Sequence, residues 1–378
     1  MKLRRIIALI LCITLLMLTL AGCGNDGNIE CDFPDCGPDS PPHINFNAAL
    51  ATFPPDTVMI KSGELSITWA HLYVVLFNTV STLFQSYGVE IPWEEEADGH
   101  ILADIVLEYV TNEATTFLAY MYGIESSNLT LNEQELAEFK HDIDNYIEEM
   151  GGIDALEEHL RETGGVYNFE VFENILILEF SVGLLADNMF GEDASDFPDA
   201  SVMEYISNSN LDLLMAMHIL RMKTEDGDDA PLKEAEEILN RLRPQAGSAN
   251  FIETFKAEML QHSDDVGGLM SFPDGYLFLP EAMVREFSDT TAALSIGEMS
   301  GIVETDFGYH IILRLPVDYD VPVMTREGPT PGTFRQLAAA NYFESTVLGW
   351  RDFVSQNIEF TSEYESIDLA GIFGLHLH

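Results

Sequence analysis

The chain has 378 residues, of which 17 are basic and 64 acidic, so its formal net charge at pH 7 is −47. A surface this acidic repels phosphate backbones and anionic lipid head groups, which excludes nucleic acid as a partner and charge-driven attachment to a membrane. Hydrophobic residues make up 47% of the chain, and the length suits two or more domains with real cores.

The N-terminus predicts export. Basic residues among the first five precede an apolar run at 6–20, which is the pattern of a secretory signal peptide and is too short for a stable membrane span. The ending Leu-Ala-Gly-Cys at 20–23 resembles the lipobox of bacterial lipoproteins. We therefore expect a lipoprotein signal peptide at 1–22, a lipid on Cys23, and a protein anchored at the extracytoplasmic face of the bacterial cell membrane. An ordinary signal peptide with an incidental cysteine is the alternative.

Residues 23–55 are rich in glycine and proline, contain five acids and have no lysine or arginine. This composition predicts a flexible acidic tether. Cys31 and Cys36 lie within it, and their spacing does not match the usual zinc or redox pairs. A local disulfide and two free thiols both remain open.

From 56 to 210 the apolar residues recur with a helical period, which predicts an N-terminal helical domain. One helix covers 105–121, a second covers 136–150, and a third covers 167–188 with apolar residues on most sides. The second helix is preceded at 130–133 by Thr-Leu-Asn-Glu, the pattern of a capping box.

Beyond 210 the pattern changes to short strands and turns around amphipathic helices. The expected elements are a strand at 213–222, helices at 232–242, 251–261 and 283–294, and strands at 301–304 and 310–315. A proline-bearing link at 316–331 then leads to one long amphipathic helix at 334–355.

Two histidines lie in apolar, strand-like surroundings, His218 in MAMHILRM and His310 in DFGYHIILRL. A polar group buried without a partner costs about 1–3 kcal/mol, so both rings need hydrogen-bond partners. Taken alone, each is best explained as an ordinary core histidine.

The segment GEMSGIVETDFGYHIILRL at 297–315 resembles the C-terminal half of parvulin-type peptidyl-prolyl isomerases, and MAMHILRM resembles their first strand. Between them the chain repeats the family's order of helix, serine–acid loop, Gly-Gly-Leu and Met-x-x-x-Phe. The lipobox and the flanking helices resemble the layout of secreted foldase lipoproteins of the PrsA and SurA type.

This resemblance implies an α+β fold. A parvulin domain at 211–318, with a four-stranded antiparallel sheet and surrounding helices, is expected to be inserted between two helical parts. The first is the N-terminal chaperone-like domain at 56–210. The second is a C-terminal linker and helix at 319–378 that returns to pack on that domain.

The resemblance also implies site residues. The expected catalytic residues are His218, Asp265, Thr305 and His310, with Asp264 as the alternative to Asp265. The expected substrate-binding residues are Leu269, Met283, Phe287 and Phe307. No metal and no cofactor is expected. The Gly-Gly-Leu loop lacks the acid common in the family, and residues 277–280 are expected to enlarge the loop that follows.

These features predict a peptidyl-prolyl cis-trans isomerase that assists the folding of exported proteins. Its expected partners are unfolded or newly exported polypeptides with X-Pro bonds. Acids at 225, 226, 228 and 229 follow the first strand, and they disfavour phosphorylated clients by like-charge repulsion. The alternative is a catalytically weak or inactive parvulin-fold holdase that binds unfolded clients through the helical region. A solute-binding lipoprotein would need alternating strands and helices, which the helical N-terminal region does not show.

Overall fold

The computed structural model describes residues 43–88, 91–97, 99–224 and 226–376. The predicted signal peptide and most of the predicted tether lie outside the described residues. The same holds for Cys23, Cys31 and Cys36.

The described residues form mixed α and β structure, as predicted. The helices are α1 (Phe46–Leu50), α2 (Trp69–Tyr87), α3 (Leu102–Ser126), α4 (Glu133–Glu149), α5 (Ile153–Gly164), α6 (Phe169–Phe190), α7 (Asp199–Asn208), α8 (Ala230–Leu242), α9 (Phe251–His262), α10 (Val266–Ser271), α11 (Arg285–Ala293), α12 (Phe334–Ser355), α13 (Ser362–Glu365) and α14 (Leu369–Ile372). The strands are β1 (His43–Ile44), β2 (Val58–Ser62), β3 (Leu65–Thr68), β4 (Glu96–Ala97), β5 (His100–Ile101), β6 (Leu214–Met222), β7 (Tyr276–Phe278), β8 (Met299–Glu304), β9 (Gly308–Arg314), β10 (Pro322–Thr325), β11 (Gly328–Thr333), β12 (Ile358–Phe360) and β13 (Leu375–His376). Within this described part, no helix combines the length and the apolar character needed to cross a membrane.

The chain divides into two compact units. The first contains the described residues up to Asn188 together with those from Glu344 onward, and the second is Met189–Phe343. The second unit is wider than the predicted domain at 211–318, because α7 and the beginning of α12 belong to it.

The first unit is built around the buried face of α2. The Trp69 indole nitrogen donates to the Leu50 carbonyl at 2.8 Å, and the Tyr73 hydroxyl donates to the Phe46 carbonyl at 2.7 Å. These bonds attach α1 to the core, and β1 pairs with β13. Residues 43–50 are therefore folded, so the prediction of a flexible tether extending to residue 55 is wrong for this stretch.

The C-terminal helix returns to this helical region, as predicted. A Cβ at Gly123 of α3 would collide with the Trp350 indole of α12, so the two helices lie in close contact. The Ser62 hydroxyl donates to the Val354 carbonyl at 2.8 Å, and β12 continues the sheet of β2 and β3.

The capping box of α4 is displaced from its predicted position at 130–133. The Asn132 side chain accepts from the Glu135 backbone N–H at 2.9 Å, and the Glu135 carboxylate accepts from the Asn132 N–H at 3.0 Å. Asparagine is at least as good an N-cap as threonine, so the helix begins two residues later than the first matching pattern.

The second unit contains a six-stranded sheet in the order β11-β10-β7-β6-β9-β8. Its four strands β7, β6, β9 and β8 pair antiparallel, as predicted. Helices α8 and α9 contact β6, and α11 contacts β8 and β9. This arrangement places the two histidine-bearing strands, β6 and β9, side by side within the sheet.

Two predictions about connecting segments are wrong. The link at 316–331 contains the strands β10 and β11, and β10 adds to β7 in parallel. Residues 277–280 do not enlarge a loop, because Leu277 and Phe278 lie in β7 and are fully buried.

Candidate functional site

The two histidines predicted from the sequence meet in the interior of the sheet. His310 lies opposite Leu220 in the register of β6 and β9, and His218 lies two residues away, opposite Ile312. Side chains at alternate positions of a strand share a face, so the two rings are diagonal neighbours on one face. Their Nδ1 atoms are 3.0 Å apart, and the stacked rings, inclined by only 17°, are buried.

A hydrogen-bonded chain extends from both rings. His218 Nε2 lies 2.9 Å from Asp265 Oδ2, and His310 Nε2 lies 2.8 Å from Thr305 Oγ1. The order Asp265–His218–His310–Thr305 joins the four residues that the sequence predicted to be catalytic.

The carboxylate determines the direction of this chain. Asp265 only accepts, so His218 donates its Nε2–H and is left with a bare Nδ1. His310 donates its Nδ1–H to that nitrogen, and its Nε2 accepts from the Thr305 hydroxyl. When both rings are neutral, this is the only placement of protons that gives each link of the chain one donor and one acceptor. The placement is assigned from the bonding pattern.

The loop before α10 brings Asp265 to the sheet. The loop lies along β6 beyond Tyr276, the first residue of β7. The Leu220 N–H donates to Ser263 Oγ at 3.1 Å, and the Leu220 carbonyl accepts from the Asp264 N–H at 2.8 Å. Asp265 then caps α10 by accepting from the Gly268 N–H at 3.0 Å.

The alternative residue, Asp264, has a different environment. Its carboxylate accepts from an Arg221 guanidinium N–H at 2.8 Å and from the Met222 backbone N–H at 2.9 Å. The structure therefore brings Asp265, and not Asp264, to the histidines.

The site shifts the ionisation of three of its members. The hydrogen bond from His218, with those from Tyr276 and Gly268, holds the pKa of the Asp265 carboxyl well below its ordinary value despite partial burial. Burial, with the Asp265 charge, raises the pKa of Tyr276. Burial, with the neighbouring His218, lowers the pKa of His310 to about 4. At neutral pH the hydrogen-bonded chain therefore has the charged Asp265 carboxylate at one end and contains a neutral His310.

An apolar wall stands beside the histidine pair. Phe287 is buried and meets both rings edge-on, with centroids 5.3 Å from His218 and 5.8 Å from His310. It belongs to a core cluster with Leu214, Phe278 and Ile312, against which the half-buried Met283 packs. Met283 and Phe287 therefore belong to one apolar cluster, and that they hold a proline ring stays a prediction.

The other two predicted binding residues have different surroundings. Leu269 lies on α10 and lines a small cavity with His218, Asp265 and Tyr276. Phe307 lies in the turn between β8 and β9 with an exposed side chain, and its backbone N–H donates to Thr305 Oγ1 at 3.1 Å.

Tyr276 is a member of the site that the sequence did not predict. Its hydroxyl donates to Asp265 Oδ2 at 2.7 Å, on the same oxygen that accepts from His218. Ser263 is a second unpredicted member, since its hydroxyl oxygen accepts the Leu220 N–H. The Asp-Gly pair before Tyr276 is typical of a turn that precedes a strand, but the contact with Asp265 depends on the pairing of β7 with β6, which the sequence spacing does not give.

The nitrogen and oxygen atoms that link Asp265, His218, His310 and Thr305 are engaged in hydrogen bonds with one another. In the part of the chain that the structure describes, no three histidine, cysteine or acidic side chains are grouped so that they could hold a metal ion. The geometry offers a directional hydrogen-bonded chain, with a carboxylate at one end, next to an apolar wall.

Comparison with known families identifies this part of the chain. Residues 218–315 match the family described as "Rotamase: PPIC-type PPIASE domain". Residues 218–315 are a parvulin-type peptidyl-prolyl isomerase domain. The match begins at His218 and ends just after β9, so it spans all four predicted site residues of the hydrogen-bonded chain.

Relatives of the isomerase domain extend the similarity to other parts of the chain. The foldase protein PrsA of Caldanaerobacter subterraneus subsp. tengcongensis is 25% identical over 264 residues, which is 68% of this chain and 72% of the relative. The foldase protein PrsA of Geobacillus sp. is 35% identical over 114 residues, covering 30% of this chain and 36% of that relative. The crystal structure of PrsA from Bacillus subtilis is 19% identical, covers 85% of this chain and 99% of that one, and has a TM-score of 0.25. The predicted resemblance to PrsA-type foldases is confirmed by these sequence relatives.

Proposed function

We propose that the protein is an extracytoplasmic, lipid-anchored peptidyl-prolyl cis-trans isomerase that assists the folding of exported proteins. The observation that carries this proposal is the buried chain Asp265–His218–His310–Thr305 beside Met283 and Phe287. It combines an apolar surface for a proline ring with fixed polar groups next to it.

The reaction requires rotation about an amide bond without breaking any bond. Resonance sets a barrier of about 18–20 kcal/mol, and the uncatalysed prolyl step takes tens to hundreds of seconds. In the twisted transition state the amide loses resonance and its carbonyl is less dipolar. An environment with little water favours that state over the planar ground state.

In our proposal, Met283 and Phe287 hold the proline ring and exclude water from the prolyl amide. Leu269 and Phe307 contact client groups next to the ring. The apolar surface thereby lowers the energy of the twisted amide relative to the planar one.

The polar residues hold the geometry while the amide rotates. The Asp265 carboxylate faces the client carbonyl region, and its charge is maintained by three hydrogen-bond donors. His218, His310 and Thr305 keep that carboxylate and the floor of the site in place. No nucleophile is required, since the client forms no covalent bond to the protein.

The cellular setting rests on the sequence and on the relatives. The similarity to PrsA foldases supports unfolded or newly exported polypeptides as clients. We propose that the signal peptide is removed, that lipid on Cys23 supplies the anchor, and that the acidic residues after it separate the folded units from the membrane.

A protease-free peptide isomerisation assay tests the proposal. Mature protein is expected to accelerate cis-trans exchange of an unphosphorylated X-Pro peptide, and His218→Ala and Met283→Ala are expected to lose most of that acceleration. Met203→Ala is a matched control, because Met203 is a methionine exposed on α7. Exchange at the spontaneous rate with intact mature protein would reject an isomerase function.

A second candidate function is a holdase that binds unfolded chains through the helical unit. It is favoured by Leu348 and Phe353, which are both exposed on the part of α12 within the first unit. Exposed apolar side chains of this kind suit promiscuous client binding. Suppression of client aggregation that survives His218→Ala but falls with Leu348→Asp would support a holdase, and suppression unaffected by Leu348→Asp would argue against it.

A further inference from the structure

Arg221 lies on β6 behind the candidate site, on the opposite face of the strand. Side chains alternate along a strand, so Arg221 points away from the face that carries His218 and Leu220. Its side chain is largely buried, with 22% exposed. Arg221 is therefore outside the hydrogen-bonded chain and away from the face that a client would contact.

The Arg221 guanidinium joins a helix to the loop that carries Asp265. On one side, Nε donates to a carboxylate oxygen of Glu234 on α8 at 3.0 Å, and Nη2 donates to the same oxygen. On the other side, Nη1 donates to the His262 carbonyl and to Asp264 Oδ1, each at 2.8 Å. Because a guanidinium is planar and carries five N–H donors in a rigid fork, it fixes such partners at set angles.

Asp264 also contacts the backbone of β6. Its Oδ2 accepts from the Met222 N–H at 2.9 Å, so one carboxylate oxygen is engaged by the guanidinium and the other by the strand. The next residue in the chain is Asp265, whose Oδ2 lies 2.9 Å from His218 Nε2. Since the two acids are adjacent, the position of Asp265 depends on how firmly Asp264 is held.

The contacts of Asp265 tolerate little displacement. Its Oδ1 accepts from the Gly268 N–H, and its Oδ2 accepts from both His218 and Tyr276. A charge-assisted hydrogen bond needs heavy atoms about 2.7–2.9 Å apart. Misplacement of a catalytic group by about 1 Å can cost on the order of a hundredfold in rate.

We propose that Arg221 is a positioning residue of the isomerase site, which together with Glu234 and Asp264 fixes the loop so that the Asp265 carboxylate stays in contact with His218. We call Arg221, Glu234 and Asp264 the loop clamp. The inference rests on the proposed isomerase function and extends that site to residues that touch no client. The loop clamp acts only through Asp265.

The first test is a comparison of kinetic constants. Arg221→Gln removes the charged fork, and it is expected to lower kcat for an unphosphorylated Leu-Pro peptide about tenfold while KM stays within about twofold, because a displaced Asp265 weakens the transition state more than client binding. Arg241→Gln is the matched control. It breaks a pair of the same kind, between Arg241 of α8 and Glu258 of α9 at 2.8 Å, and is expected to leave both constants unchanged.

The second test measures the position of Asp265 without catalysis, by NMR of the His218 Nε2 proton. This proton lies between the ring and the carboxylate, so its exchange with solvent is expected to be slow in the intact protein. Arg221→Gln is expected to speed the exchange about tenfold or more by letting the loop open. Arg221→Lys keeps the charge but lacks the fork, so its exchange rate is expected to lie between the other two. Thermal unfolding is measured to show that each variant is folded.

The outcomes distinguish the loop clamp from the isomerase function. Equal effects of Arg221→Gln and Arg241→Gln would overturn the positioning role and leave the isomerase intact. A lower unfolding temperature of Arg221→Gln with unchanged kcat or unchanged proton exchange would do the same. Acceleration of no peptide by the intact mature protein would reject the isomerase function and the inference with it.

Discussion

Asp265→Asn is expected to reverse the direction of the hydrogen-bond chain. The carboxylate accepts at both oxygens, from the Gly268 N–H on Oδ1 and from His218 Nε2–H on Oδ2. An asparagine whose carbonyl oxygen keeps the bond to Gly268 turns its NH2 group toward His218. Because that group only donates, His218 must then accept at Nε2 and carry its proton on Nδ1.

The reversed direction of donation extends to His310 and Thr305, at the other end of the hydrogen-bonded chain. His310 must accept at Nδ1 and carry its proton on Nε2, from which it donates to Thr305 Oγ1. The Thr305 hydroxyl then turns to the Gly308 carbonyl, which already lies 3.4 Å away. The NH2 group also faces the Tyr276 hydroxyl, which must then accept instead of donate. Each of these changes needs only a rotation or a proton shift at atoms that are already in place, so the variant is expected to fold.

The cost follows from the loss of a charged acceptor. A hydrogen bond to a charged group contributes about 1.5–3 kcal/mol, so the free energy of unfolding is expected to fall by about that amount. If the same loss applies in the transition state, kcat/KM for an X-Pro peptide falls roughly tenfold to a hundredfold, at 1.4 kcal/mol per factor of ten.

NMR of the imidazole nitrogens measures the change directly. At pH 7 the wild type is expected to show His218 protonated on Nε2 and His310 on Nδ1, and the variant is expected to show the opposite pair. Identical ring protonation in both proteins, or a doubly protonated His310 in the wild type, would refute the assigned direction.

Three further predictions concern the same unit. Tyr276→Phe removes one donor to Asp265 and is expected to cost about 1 kcal/mol of unfolding free energy and several-fold in kcat/KM; unchanged kinetics would contradict its place in the site. Since the pKa of His310 falls from 6.5 in the unfolded chain to about 4 in the fold, the unfolded state alone binds a proton between these pH values. The contribution of His310 to the free energy of unfolding is therefore complete above pH 6.5 and is lost as the pH falls toward 4. Denaturant titrations should show that the free energy of unfolding of the wild type falls by about 3 kcal/mol more than that of His310→Asn over this pH range. Gly308→Ala forces a Cβ against the Arg221 carbonyl and is expected to destabilise the unit by about 2 kcal/mol or more, whereas Gly301→Ala meets nothing within 4 Å and should cost much less; equal unfolding free energies would contradict the close approach.

Local patterns predict the elements on which the site depends. The strand expected at 213–222 is β6, and the helix expected at 334–355 has the bounds of α12. β6 is a nearly continuous apolar run, and α12 is a stretch of 22 residues that contains no proline, so local residues alone indicate both elements. The family motif then places His218 and His310 on neighbouring strands, and the register confirms it.

Non-local contacts explain what the sequence did not predict. β1 pairs with β13, and no local pattern connects segments at opposite ends of the chain. β11 contains Pro329 and Pro331, which argue against a strand, but β11 lies at the edge of the sheet, where proline is tolerated. The bond from Tyr276 to Asp265 depends on where β7 joins β6, so sequence spacing could not identify it.

The isomerase site is tested most directly by exchange NMR of a labelled Leu-Pro peptide with a catalytic amount of mature protein. Exchange peaks between the cis and trans forms are expected within seconds, together with shifts of the His218 and His310 ring signals when peptide is added. Both effects are expected to decrease in Phe287→Ala, which removes the apolar wall. Spontaneous exchange rates with no change in the histidine signals would contradict the claim that this hydrogen-bonded chain and its apolar wall form a prolyl isomerase site.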